Sequence, residues 1–302
     1  MTFQSLSKFF LTLSAFLVVG SIVLMIVPGP KFSIDFTGGT LMEVQLQPGK
    51  THDDLQKALQ NYEQTSKTSL GNFTITTIKT ATEQAFLMRL RPMSNEEHIA
   101  VLQEIEKDTG KTKELQYNTI GPSLSQSLKW KSLEALSIAS IATIIYLAIA
   151  FRKLPRKLNP WKFGTLAVLA FIHDVVLTTG IFIVIGRFTS FEFDPLFVTA
   201  LLTILAYSAN DTIVIFDRIR ANMSFDNRSE DLGTVVARGL RQCVTRTFST
   251  TMAALIMLFS LFFLGSESIR WFIMALIVGT AIGAYSSYFI AAPLLVFWQK
   301  KN

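Results

Sequence analysis

The sequence has one cysteine, Cys243, so no internal disulfide can form and no paired-thiol motif is available. Its three histidines, His52, His98 and His173, are too scattered to make a metal site without further ligands. No phosphate-cradling loop of the Walker type occurs, and no nucleophile elbow. Charge of one sign is not concentrated either. The 28 Lys and Arg against 22 Asp and Glu leave a net +6, but the cations sit in short connections between apolar runs rather than along one face, which argues against a nucleic-acid partner. No catalytic residue, cofactor or metal is expected, and the chain is not read as an enzyme. Any energy from nucleotide hydrolysis must come from another protein.

The chain has apolar length instead. Half of it is hydrophobic and the mean hydropathy is +0.39, high for a soluble protein but low for one built only of spanning helices. Six runs approach the ~20 residues that a helix needs to cross hydrocarbon: 9–27, 131–151, 163–185, 195–216, 247–264 and 271–298. The first is too long for a signal-peptide core and no small-x-small cleavage site follows it, so it is expected to be a retained span. Segment 1–8 precedes it.

The connections give orientation. Arg152, Lys153, Arg156, Lys157 and Lys162 crowd the second, and Arg218, Arg220, Arg228, Arg238, Arg241 and Arg246 fill the fourth, 217–246. The third and fifth hold only Arg187 and Arg270 against Glu192, Asp194 and Glu267. By the positive-inside rule both termini are expected in the cytoplasm, and Lys300 and Lys301 agree. Trp130, Trp161, Trp271 and Trp298 all fall at span ends, where an aromatic belt would put them.

Segment 28–130 then lies outside. It reads as a strand at 40–46, a helix opened by Thr51, strands at 72–79 and 85–91, a helix opened by the Ser94/Glu97 capping box, and a strand at 113–120. That βαββαβ order is the order of a ferredoxin-like sandwich. The expected fold is an α-helical membrane protein of six transmembrane helices with one external α+β domain between the first two. Asp35, Gly38 and Gly39 follow the first span, and the paired glycines favour a rigid turn leaving the membrane. In the last span Ala275, Gly279, Gly283 and Ser287 recur at intervals of four, a small-residue face for tight helix packing.

Polarity inside the spans is the remaining signal. A carboxylate near mid-membrane costs roughly 2.5–3.5 kcal/mol on insertion scales, so Asp211, within run 195–216, needs a partner or a proton. Thr203, Tyr207, Asn210, Asp211 and Val214 share one helical face. The third span carries His173 and Asp174 with Thr178 a turn on, and Arg246 opens the fifth. These groups are expected to face one another or a water-filled path. Two readings stand: Asp211 and Arg246 form a static pair that locks two helices, or they form a site where protonation and pairing compete and which can switch. Asp211 is placed nearer the cytoplasmic face and Asp174 closer to mid-membrane.

At this point the residues carry a resemblance. Tyr207-Ser208-Ala209-Asn210-Asp211-Thr212-Ile213-Val214-Ile215-Phe216-Asp217-Arg218-Ile219-Arg220 is similar to the fourth-span signature of SecF proteins in the SecD/SecF family. Ile34-Asp35-Phe36-Thr37-Gly38-Gly39-Thr40 resembles the family's motif after the first span, and Ile172-His173-Asp174-Val175 and Thr245-Arg246-Thr247 match too. The resemblance implies the six-span half of a resistance-nodulation-division fold in the bacterial inner membrane. It implies an accessory subunit of the Sec translocase that uses the proton gradient late in export. The implied partners are SecD, the SecYEG channel and secreted preproteins, with YajC open as a further one. Asp211 and Arg246 match the family's membrane-embedded pair implicated in proton passage. Two alternatives are a half-transporter of the same superfamily that exports lipids or small molecules, and a scaffold whose polar stripe is inert.

Overall fold

The computed structural model describes residues 3–79, 84–152, 160–225 and 230–299. Lys153, Arg156, Lys157, Arg228, Lys300 and Lys301, used above for orientation, lie outside the described residues. The elements in order are α1 (Phe3–Ile26), α2 (Ile34–Thr37), β1 (Gly39–Gln45), α3 (His52–Ser66), β2 (Thr74–Lys79), β3 (Gln84–Leu90), α4 (Asn95–Thr109), β4 (Lys113–Ile120), α5 (Pro122–Ala150), α6 (Pro160–Phe188), α7 (Pro195–Phe225), α8 (Leu232–Leu264), α9 (Arg270–Ser286) and α10 (Ala292–Gln299). They form two compact units, one of Met1–Lys31 with Ser132–Asn302 and one of Phe32–Lys131.

Six helical stretches among the described residues are long and apolar enough to cross a membrane: Ser7–Ile26, Pro122–Ala150, Trp161–Phe188, Pro195–Met223, Leu232–Leu264 and Glu267–Trp298. The chain is a multi-pass membrane protein. The α6 span and the last span are 56% buried over their most apolar windows, against 11% for α1, α5 and α8, so α6 and the last span form the centre of the bundle. Two apolar cores hold it together. In one, Phe151 and Phe163 stack face to face and Phe216 meets both edge-on, beside Ile219, Val236 and Leu295. In the other, Phe182, Phe191 and Phe197 pack with Ile204, Leu258 and Ile273. Trp271 at the start of α9 meets Phe191 just beyond the end of α6, so these two helices run antiparallel.

The helices overrun the apolar runs. α5 begins at Pro122, α7 continues to Phe225 and α8 starts at Leu232, so helix fills most of the 217–246 connection. Hydropathy marks where a helix meets hydrocarbon, whereas backbone hydrogen bonds carry it on through polar sequence that still favours helix. The last span is interrupted: a 3₁₀ turn, Glu267–Ile269, precedes α9, and a π turn, Ser287–Ala291, separates α9 from α10.

The second unit is a four-stranded antiparallel sheet in the order β2-β3-β1-β4, with two long helices between its strands. β1 alternates in burial, and Met42 and Val44 join Phe86 and Met88 of β3 against Leu55 and Leu59 of α3 and Val101 and Ile105 of α4. Both helices start on capping boxes, Thr51 with Asp54 and Ser94 with Glu97. The sequence starts the second strand at residue 72; it starts at Thr74, after Phe73 N–H closes a turn onto Gly71 O. Gly38 and Gly39 lie at φ +73° and +135°, and a Cβ on Gly39 would stand 2.9 Å from Leu90 O on the neighbouring strand. Glycine is required there both by the dihedral and by the approach of β3. Asp35, in α2, accepts the Ser33 hydroxyl at 2.9 Å.

Candidate functional site

The polar groups of the spans separate into an inner cluster and an outer stripe. The inner cluster is built on Asp174, fully buried at the middle of α6. Its Oδ2 accepts the hydroxyl of Ser208 from α7 at 2.8 Å and that of Ser286, the last residue of α9, at 2.9 Å. Its Oδ1 lies 3.0 Å from Nδ1 of the neighbouring His173. One turn along α7 from Ser208, Thr212 pairs with Ser287 at 3.0 Å, and Ser287 also donates to the Ser208 carbonyl at 3.4 Å. Beyond His173, the ring of Tyr285 is 6.3 Å away, and the Tyr285 hydroxyl pairs with Ser14 of α1 at 2.9 Å.

Small residues make this contact possible. A Cβ on Gly283 would lie 3.3 Å from Ser208 Cβ and 3.6 Å from Asp174 Oδ2, so Gly283 lets α9 close on both. Gly279 packs directly on Ile204 of α7, and Ala275 is fully buried in the apolar core beyond it. With Ser287, the four small residues of the last span all face inward. The π turn begins at Ser287, where the chain contacts Ser208 and Thr212; π turns in α-helices frequently occur at functional sites.

The outer stripe is the α7 face foreseen in the sequence, but it turns away from α6. Tyr207 and Asn210 are exposed and Asp211 is half-buried, while Ser208 and Thr212 of the same helix are buried. Asn210 lines a groove of about 320 Å³ with Ala206, Ala209 and Ile213, facing Ala142, Thr143 and Tyr146 of α5. Arg246 is exposed on α8. Among the described residues no ion pair joins it to Asp211, so the static-clasp arrangement is not formed. Of the groups expected to face one another or a water-filled path, Asp174 and His173 meet α7 and the last span, whereas Tyr207, Asn210 and Arg246 are exposed. A helical-face reading missed Ser208 and Ser286 because it followed the carboxylate of α7; the hydroxyl pairs 208/212 and 286/287 were the available signal.

The spans, the Gly38–Gly39 turn and this polar layer can be set against known proteins. Residues 100–301 match the family model described as "Protein export membrane protein SecD/SecF, C-terminal", and residues 23–50 match "SecD/SecF GG Motif". This chain belongs to the SecD/SecF family. It is 33% identical over 296 residues to a protein translocase subunit SecF of Thermobaculum terrenum, covering 97% of this chain and 92% of that protein. It is 31% identical over 274 residues to the protein translocase subunit SecDF of Thermus thermophilus, covering 91% of this chain and 35% of the longer one. The crystal structure of SecDF from the same source, a translocon-associated membrane protein, superposes with a TM-score of 0.79 at 29% identity, over 99% of this chain and 39% of that one.

Proposed function

We infer that this SecD/SecF family member is an accessory subunit of the Sec preprotein translocase, pairing with SecD to drive late export with the proton motive force. The observation that carries this reading is the outer stripe. Asn210, Tyr207, Asp211 and Arg246 lie on or near the surface of helices whose composition suits hydrocarbon. Polar side chains in that position are costly unless another protein surface or water meets them. A SecD half would cover them, and the fused SecDF relative, about 39% of whose length this chain matches, supports such a partner.

In this reading Asp211 and Arg246 form the inner station of a proton path, with Asn210 and Tyr207 beside them and Asp174 and His173 as a second station deeper in the span. One charge crossing the membrane field releases roughly 2.3 kcal/mol per 100 mV, enough to shift a conformational equilibrium more than tenfold. The strand order β2-β3-β1-β4 supports a ferredoxin-like domain in 28–130, placed outside the membrane with both termini in the cytoplasm of a bacterial cell. Its work would be on preproteins leaving SecYEG, with YajC a further candidate partner. The test is Asp211→Asn in membrane vesicles carrying SecD and SecYEG. Preprotein translocation should lose the increment that a proton gradient adds while ATP-driven translocation persists. An increment of wild-type size would overturn the reading.

A further inference from the structure

We propose that Arg218 and Gln242, where α7 and α8 leave the apolar part of the bundle, form a binding site for the phosphate group of an anionic phospholipid. Close packing brings the two residues together. A Cβ on Gly239 of α8 would lie 2.9 Å from Ile219 Cγ1, so the missing side chain lets α8 close on α7 there. One turn along, the Cys243 thiol meets the Val214 carbonyl at 3.8 Å. Gln242, between these two positions in the chain, turns its carbonyl oxygen to α7, where it accepts Arg218 Nε at 2.8 Å and Asn222 Nδ2 at 3.0 Å. Two donors on one oxygen fix the amide, and its NH2 group is left with no protein partner among the described residues.

The guanidinium held in this way is oriented but uncompensated. Arg218 is bound through Nε, and among the described residues its terminal N–H groups make no hydrogen bond and no ion pair. Neighbouring cations are engaged elsewhere: Arg220 with Asp217 and over the Phe151 ring at 5.6 Å, Arg238 with Glu230 at 2.7 Å, and Lys162 over the Trp298 ring at 5.7 Å. Asp217, the acid beside Arg218 in the chain, is therefore taken. A carboxylate at position 242 would fix the guanidinium and cancel its charge. The neutral amide fixes it and leaves the charge, with the planar face of donors that a phosphate accepts bidentately.

Depth says which phosphate. The apolar run of α7 ends at Phe216, two residues before Arg218, and that of α8 begins at Thr247, five residues after Gln242. At the helical rise these offsets put the two backbones about 3 Å and about 7.5 Å beyond the hydrocarbon. The headgroup layer extends about 5–7.5 Å on each side of the hydrocarbon core, so both side chains lie at the level of lipid phosphates. Basic sites between spanning helices at this level suit anionic headgroups. The surface around the site carries further positive charge, since Arg241 and Arg246 are exposed and have no acid partner among the described residues. Arg241 attracts the anion without touching it, whereas Arg218 and Gln242 supply the fixed donors.

The site does not depend on proton coupling, and binding is measurable without transport. The full chain in detergent micelles would be titrated with phosphatidylglycerol or with phosphatidylcholine, and bound lipid counted by native mass spectrometry. Phosphatidylglycerol should bind more tightly by about fivefold or more, the weight of one Lys or Arg near an anionic surface. Arg218→Gln should remove that preference. Gln242→Glu, which sets a carboxylate against the guanidinium, should remove it too in preparations whose helical content matches wild type. Arg241→Gln deletes the same formal charge one residue from Gln242 and should keep most of the preference. Equal affinity for the two lipids in the wild type would overturn the proposal. Equal losses in Arg218→Gln and Arg241→Gln would overturn it in favour of a diffuse positive surface. Displacement of phosphatidylglycerol by an equal concentration of inorganic phosphate would overturn it in favour of a site for soluble phosphate. Each of these outcomes leaves the proposed function standing.

Discussion

Ser286 and Asp174 are joined at 2.9 Å between the last span and the third, with neither side chain exposed to solvent. This bond and its counterpart from Ser208 join α6 to α7 and α9 in the interior of the bundle, so directional polar contacts add to the two apolar cores there.

Hydrogen bonds to a charged acceptor contribute about 1.5–3 kcal/mol, against about 0.5–1.5 for neutral pairs. Ser286→Ala, which removes the bond to Asp174 and one to the Gly283 carbonyl, should therefore lower the thermal midpoint of the full chain more than Ser287→Ala, which removes the neutral contacts with Thr212 and the Ser208 carbonyl. Equal losses would show that Asp174 is not charged in the folded state.

Gly39→Ala should destabilise the second unit by about 1–3 kcal/mol, because φ +135° is strained for alanine and its Cβ would press on the Leu90 carbonyl. Gly49→Ala is the comparison: φ is +92° there, with nothing within 4 Å, so the strain acts without the clash and the loss should be smaller. Limited proteolysis within 32–131 reads both.

The Arg91 guanidinium, donating to Glu97 at 2.7 Å, holds the Glu97 carboxyl below its ordinary value of 4.5, and the Ser94 N–H adds to the effect. Glu97 is more readily ionised folded than unfolded, so its stabilising contribution is complete above pH 4.5 and is lost as pH falls through the lowered value. Both partners are about one-third exposed, which limits the pair to roughly 0.2–1 kcal/mol. The midpoint difference between wild type and Glu97→Gln should be constant near neutrality and shrink on acidification.

Arg246→Met should cost little stability, since Arg246 is exposed and makes no ion pair among the described residues, yet should remove the gradient-dependent part of translocation. A large fall in midpoint would mark Arg246 as structural instead.

If the outer stripe is covered by SecD, Asn210→Cys should react quickly with a maleimide in the isolated chain and slowly after assembly with SecD. The only native thiol, Cys243, is buried and should contribute little background. Equal labelling rates would show that the stripe faces something else.

Much of the architecture was legible in the residues. Apolar runs near the length of a bilayer mark the six helices, because hydrocarbon selects composition over every such stretch. Thr51 with Asp54 and Ser94 with Glu97 mark the starts of the two helices in the second unit, because capping is satisfied within one turn. The paired glycines mark a turn through dihedrals open to few other residues, and the small residues at 275, 279, 283 and 287 mark an inward face because their spacing matches the helical repeat. These are local or periodic constraints, written in neighbouring positions.

Which polar groups meet was decided by the tertiary structure alone. Asp174, Ser208 and Ser286 are far apart in the chain, and their meeting depends on how α6, α7 and α9 are rotated and on Gly283 letting two backbones close together. Packing rotated α7 so that Ser208 and Thr212 face inward and Asn210 outward, because burying the hydroxyls completes hydrogen bonds that the stripe beside them could not make. Helical periodicity places residues on a face; only the packed neighbours determine which face is inside.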